Sequence, residues 1–246
     1  MLSSVNIEST VLSIYEQLKS NSEKQKIELK NETELWLELI FSILSSRVKY
    51  EQVKATFQNL KKSEIISSPK QIISSNTNIK KIESILKMPV TYSYNEKKYF
   101  SCFPFSPQRS RYIYQSAKNI YETTSISDLL LKSESANDAR KNLMSKCLGL
   151  GPKQASMYLN NIGYSHHFAV LDTHILAYLN IIQLLKEKFV SVSNLKKYES
   201  IEIMYFNYAK SFSVNLLKLD LAIWVVMRTL KRNFNYEYRN LSLRWT

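Results

Sequence analysis

The sequence predicts an all-α protein, and three observations carry that expectation. Apolar residues recur at helical rather than strand spacing along most of the chain. Only residues 88–105 are β-prone. With 246 residues and 44% hydrophobic composition, the chain can bury a substantial core.

Val11, Ile14, Tyr15 and Leu18 share one face of a first amphipathic helix. Glu34 to Ser46 is apolar on nearly every side, as expected of a helix buried in the middle of a helical domain. Further helices are expected at 50–61, 79–87, 109–122, 127–132 (with Ser127 as N-cap) and 138–148. Between them, Met88 to Tyr94 and Tyr99 to Phe103 form either a small hairpin or an extended loop ending at Pro104 and Pro107. Later helices are expected from Pro152 to Asn161, from Thr173 to about Phe189, and at 195–212 and 218–232. Ser67-Ser68-Pro69 and Ser74-Ser75-Asn76 read as loops.

The formal net charge is +13, from 34 Lys and Arg against 21 Asp and Glu, which points to a polyanionic partner, nucleic acid ahead of a membrane surface. The excess is clustered. Lys97, Lys98, Arg109, Arg111 and Lys118 occur without an intervening acid, and Arg228, Lys231, Arg232, Arg239 and Arg244 follow late in the chain against Glu237 alone. Two cysteines, Cys102 and Cys147, are too few for a four-thiolate iron–sulfur or zinc site. Met1 to Lys19 lacks the apolar run of a signal peptide, and no stretch of 18 apolar residues occurs. The expectation is a soluble intracellular protein.

Glycine shows where function should be sought. The chain has three glycines, Gly149, Gly151 and Gly163, where ordinary usage would give about seventeen. Gly149-Leu150-Gly151 is followed by Pro152-Lys153-Gln154-Ala155, a tight turn feeding a helix. Glycines admit a ligand close to the backbone, and the following helix offers unpaired N–H groups at a positive dipole end, which suits a phosphate. Lys153 is a cation at that positive end, where the field favours a neutral, nucleophilic amine; a plain phosphate contact is the simpler alternative. Nineteen residues on, Asp172 in Leu171-Asp172-Thr173-His174 reads as a helix N-cap, a role compatible with catalysis because a capping carboxylate is held rigidly.

Residues 138–161 resemble the helix-hairpin-helix motif of DNA-binding proteins, with Leu148, Leu150 and Ala155 at its apolar and small positions. With Lys153 and Asp172, residues 138–178 resemble the helix-hairpin-helix DNA glycosylase superfamily. Weaker likenesses point to its archaeal-type 8-oxoguanine branch: Trp36 to Ser45, Phe103-Pro104 with Arg109 to Ile113, Asn160 to Tyr164, and Leu219 to Trp224.

The resemblance implies two helical subdomains with the hairpin at their junction and an active-site cleft between them. Residues 30–165 would form one, ending in the hairpin, and 1–29 with 166–246 the other. It implies a bifunctional glycosylase/lyase with Lys153 as nucleophile and Asp172 as the essential carboxylate. Gly149, Leu150, Gly151, Gln154, His174 and Arg47 would contact DNA, and Trp224, Asp220 and Ser45 would line the base pocket. No metal or organic cofactor is implied beyond a monovalent cation at the hairpin in relatives. The implied partner is double-stranded DNA with a damaged base, bound by a monomer, with no membrane. One departure stands out: relatives commonly end soon after the tryptophan helix, whereas this chain continues about twenty residues to Trp245. Two alternatives stay open at this point, a non-catalytic DNA-binding module and a glycosylase for another lesion such as an oxidised pyrimidine.

Overall fold

A computed structural model describes residues 4–20, 30–186, 192 and 194–233. Twelve helices and one two-stranded sheet occur among them, so the all-α expectation holds with a small β insertion. The chain divides into two compact units, Glu28–Tyr164 and Met1–Ile27 with Ser165–Thr246.

The larger unit is built around α2 (Glu32–Leu44). Asn31 and Glu34 close a capping box at its start. Leu35, Trp36, Leu39, Ile40, Ile43 and Leu44 are buried on several sides of it, as the all-round apolar pattern requires. Trp36 donates its indole N–H to the Ile66 carbonyl at 3.1 Å, so its one polar atom is satisfied inside the core. Around α2 lie α3 (Tyr50–Lys62), α4 (Pro69–Ile73), α5 (Thr77–Leu86), α6 (Ser106–Tyr121), α7 (Ile126–Leu131), α8 (Ala136–Lys146) and α9 (Pro152–Asn161). Strands β1 (Val90–Tyr94) and β2 (Lys97–Ser101) pair antiparallel, Val90 opposite Ser101 and Tyr94 opposite Lys97. The open choice over residues 88–105 thus resolves as a hairpin. Asn95 and Glu96 both adopt left-handed φ, as a two-residue turn matched to strand twist requires.

The smaller unit consists of α1 (Ser4–Ser20), α10 (Thr173–Ile181), α11 (Leu195–Ser211) and α12 (Leu216–Asn233). Its core joins Val11 and Tyr15 of α1 to Ile175, Tyr178 and Leu179 of α10, Tyr198 and Tyr205 of α11, and Leu219, Ile223 and Met227 of α12. The Tyr208 hydroxyl donates to Glu8 at 2.7 Å and the Asn215 amide to the Tyr15 hydroxyl at 2.9 Å, tying α1 to the C-terminal helices across the sequence.

Three element expectations are corrected. The helix expected to run from Thr173 to about Phe189 stops at Ile181, where Gln183 turns left-handed (φ 61°) and the Leu184 amide reaches back to the Leu179 carbonyl. Ser125, not Ser127, caps α7; Ser127 instead donates to the Glu32 carboxylate. The serine-rich stretch near Pro69, read as loop, contains the short helix α4, with the proline in its first turn.

Candidate active site

The hairpin turn lies in the larger unit. Helix α8 ends at Lys146, Cys147 is extended, and the Leu148 amide donates to the Ser116 hydroxyl of α6 at 3.1 Å. Gly149 has φ +77°, and a Cβ added there would fall 2.3 Å from the Tyr112 ring. Both conformation and crowding therefore demand glycine. Gly151 is different. It is extended (φ −84°, ψ −179°), and an added Cβ would meet nothing closer than the Gln154 Oε1, 3.5 Å away. Nothing within the described fold requires glycine at 151. Leu150 and Ala155 are buried behind the turn, while Leu148 is exposed.

Pro152 opens α9 and Lys153 is its second residue. Lys153 is partly buried, and its amine makes no hydrogen bond or ion pair among the described residues. Gln154, also partly buried, completes the first turn. Helix α9 ends as its sequence suggests: Gly163 turns left-handed and the Tyr164 amide returns to the Leu159 carbonyl at 3.0 Å.

Arg109 and Tyr112 of α6 form the floor beneath Gly149. The Arg109 guanidinium is buried between the rings of Phe105 and Tyr112 and donates to the Ser46 carbonyl at 2.9 Å. This contact brings the α2–α3 corner to the hairpin. Arg47, the residue after Ser46, is exposed and left-handed (φ 62°), close enough to Arg109 to oppose its charge. Phe105 is likewise left-handed, an uncommon state for a bulky side chain, and the residue is exposed. Ser45 is spent locally, its hydroxyl donating to the Phe41 carbonyl one turn back.

Asp172 belongs to the smaller unit and caps α10 as the sequence predicts. One oxygen, Oδ1, accepts from both the His174 and Ile175 amides, at 2.8 and 2.9 Å. Oδ2 accepts no hydrogen bond among the described residues. Capping thus occupies one oxygen and leaves the other without a partner among the described residues. The His174 ring meets Trp224 edge-on, 6.3 Å between centroids. Trp224 is not in the apolar stripe of α12: Leu219, Ile223 and Met227 are fully buried, whereas Trp224 is partly exposed under the Arg228 guanidinium, 4.6 Å from its ring centre.

Asp220 lies one turn before Trp224 but is only 8% exposed. Its Oδ2 accepts from the Val170 amide at 2.9 Å. Its Oδ1 is buried near the Tyr205 hydroxyl without a well-formed hydrogen bond among the described residues. Burial, with the negative charges of Asp172 and Glu202 nearby, pushes its carboxyl up to about 7 against the pull of the Val170 amide.

Sequence reasoning did not single out Tyr198 and Glu202 on α11, which hold the segment leading into Asp172. Their one signal is spacing: residues 198, 202 and 205 fall on a single helical face. Trp245 and the basic residues Arg239 and Arg244 lie outside the described residues. Among the described residues no three His, Cys, Asp or Glu side chains gather as a metal-binding group, and no helix is long and apolar enough to cross a membrane.

Residues 17–214 match the family model for 8-oxoguanine DNA glycosylase. The 8-oxoguanine DNA glycosylase/AP lyase of Fusobacterium nucleatum is 22% identical over 219 residues, spanning 86% of this chain and 90% of its own length. That of Korarchaeum cryptofilum is 36% identical over 87 residues, 35% of this chain and 41% of its own. Among solved structures, the Methanocaldococcus jannaschii 8-oxoguanine glycosylase/lyase, bound to a 15mer DNA containing 8-oxoguanine, aligns with a TM-score of 0.61 at 23% identity, covering 89% of this chain and 88% of that one. The Thermotoga maritima 8-oxoguanine DNA glycosylase aligns at 0.60 with 19% identity and the same coverage. With four-fifths of its length matched by the family model, the chain belongs to the 8-oxoguanine DNA glycosylase family.

Proposed function

We propose that this chain is a bifunctional DNA glycosylase/AP lyase that removes an oxidised base, 8-oxoguanine foremost, from duplex DNA. The observation that carries the reading is the state of the two reactive groups. Among the described residues, a partly buried lysine at a helix start has an uncommitted amine, and a rigidly held carboxylate keeps one oxygen free. Structural lysines and capping aspartates do not need either property. Gly151 adds support, since bareness that the fold does not require suits a phosphate resting on the turn.

The damaged nucleotide is flipped out of the stack, because its glycosidic bond is inaccessible inside it. The Lys153 amine attacks C1′ through its nitrogen lone pair and the base departs with the bonding electrons. Asp172 stabilises the positive charge developing on the sugar and can take the proton released by the attacking amine. Opening of the sugar ring leaves a Schiff base on Lys153. Loss of a C2′ proton then expels the 3′ phosphate, cutting the strand, and hydrolysis frees the lysine. Gly149, Leu150, Gly151, Gln154, His174 and Arg47 are the proposed DNA contacts. Trp224 is the proposed stacking surface, with Asp220 and Ser45 as further pocket candidates. The protein is proposed to act as an intracellular, DNA-associated monomer.

Borohydride trapping tests the chemistry on duplexes bearing 8-oxoguanine, an oxidised pyrimidine, an abasic site or normal bases. The wild type should form a covalent complex with 8-oxoguanine and abasic duplexes, and Lys153→Gln should form none while still binding DNA. No wild-type complex on any duplex would leave a non-catalytic binding module. Stronger trapping on the oxidised pyrimidine would change the lesion, and trapping that survives Lys153→Gln would remove the proposed nucleophile.

A further inference from the structure

The segment leading into Asp172 has no regular secondary structure, and no strand lies beside it among the described residues. Three successive backbone amides are instead taken by side chains from α11 and α12. The Ala169 amide donates to Glu202 Oε1 at 3.0 Å, the Val170 amide to Asp220 Oδ2 at 2.9 Å, and the Leu171 amide to the Tyr198 hydroxyl at 3.1 Å. The Tyr198 hydroxyl also donates to the Ala169 carbonyl at 2.6 Å, gripping the segment on donor and acceptor alike. Tyr198 is fully buried, and Glu202 and Asp220 are each 8% exposed.

Burying two carboxylates here is costly, and the negative charge of Asp172 close by makes it costlier. Pairing these amides with a neighbouring strand or neutral amides would satisfy the same donors without that penalty. What carboxylates and a locked phenol provide is short-range rigidity: each side chain is fixed by packing on a long helix and aimed at one backbone atom. The clamp ends at Leu171, and the next residue is Asp172, whose backbone N–H closes onto the Val170 carbonyl at 2.6 Å. The clamp therefore determines where the α10 cap begins and where the free oxygen of Asp172 stands.

We propose that Tyr198 and Glu202, acting with Asp220, are positioning residues that hold residues 169–171 as a side-chain clamp and thereby place the Asp172 carboxylate for base excision. This rests on the functional reading above. Neither Tyr198 nor Glu202 touches DNA in this scheme; both act through the backbone.

Single-turnover excision of 8-oxoguanine, cleavage of a preformed abasic site, and amide hydrogen exchange at residues 169–171 together test the clamp. Tyr198→Phe and Glu202→Leu should slow excision about 10- to 100-fold, the effect of misplacing a catalytic group by a fraction of a side chain. Abasic-site cleavage, which starts from an aldehyde and needs no departing base, should fall much less. Glu202→Gln keeps an acceptor for the Ala169 amide and should restore most of the rate. In an Asp172→Asn background, Tyr198→Phe should add little further loss, because its effect passes through the missing carboxylate. The exchange of the Ala169 and Leu171 amides should accelerate in Glu202→Leu and Tyr198→Phe respectively, with global stability monitored by melting.

Equal losses in excision and abasic cleavage, or full additivity with Asp172→Asn, would overturn the proposal. So would unprotected amides at 169–171 in the wild type. If the wild type excises nothing and traps nothing, the functional reading fails, and so does a positioning role in excision. The exchange data then report separately on whether the clamp exists.

Discussion

The two carboxylate oxygens of Asp172 are not equivalent, and the proposed catalytic task would fall on the one that does not cap. Oδ1 caps α10 through two amides, and Oδ2 accepts no hydrogen bond among the described residues. Asparagine caps a helix about as well as aspartate. We therefore expect Asp172→Asn to melt within a few degrees of wild type while excising 8-oxoguanine on the order of 100-fold more slowly or worse. The glycines separate in a similar way. Gly149→Ala must displace the Tyr112 ring and hold a left-handed alanine, so we expect a loss of about 1–3 kcal/mol, read as a lower melting temperature. Gly151→Ser meets no obstacle and places a favoured cap residue at the start of α9, so stability should hold while affinity for duplex DNA falls. The sequence pattern marked Gly149 and Gly151 alike. A left-handed backbone and the Tyr112 ring set Gly149 apart, and an α6 side chain that far away in sequence leaves no local trace in the motif.

At the scale of elements, the helices were legible wherever periodicity coincided with end signals. Helix α9 has Pro152 at one end and Gly163 at the other, and its limits follow directly. Helix α10 ends with the same backbone geometry but with Gln183 where glycine is usual, so nothing local announced the stop. The start of α7 was misjudged because its neighbour is remote. Glu32, far earlier in the chain, accepts from the Ile126 and Ser127 amides, the Ser127 hydroxyl and the Tyr121 hydroxyl. Burial works to raise the Glu32 carboxyl, but these hydrogen bonds prevail and hold it below its ordinary 4.5. A depressed carboxyl stabilises the fold above its ordinary range, and that contribution fades as pH falls through the folded value. Glu32→Ala should therefore lower the melting temperature at neutral pH by an amount that shrinks in acid, with a cost of about 1–3 kcal/mol from the stranded donors.

For the whole molecule, the +13 charge sets how binding responds to salt. Affinity for undamaged duplex should fall steeply and linearly on a log–log scale as salt rises, and Arg47→Ala should reduce that slope by about one. The Asp220 carboxyl, raised to about 7 from an ordinary 3.8, gives stability the opposite pH dependence from Glu32. The folded chain binds the extra proton, so this contribution is present in mild acid and is lost as pH climbs through about 7. Asp220→Asn should flatten that part of a melting-temperature curve taken between about pH 5 and pH 8. Charge and the hairpin were readable from residues in sequence order; the Tyr198–Glu202–Asp220 grip was not, because it joins two helices to a segment that has no periodic pattern. The two-oxygen arrangement at Asp172 also bears on inheritance. Selection for a folded, abundant protein would accept any capping residue at position 172, so a lineage could lose the chemistry in one substitution and show no defect in yield, solubility or melting. Only a damaged-DNA assay would register the change.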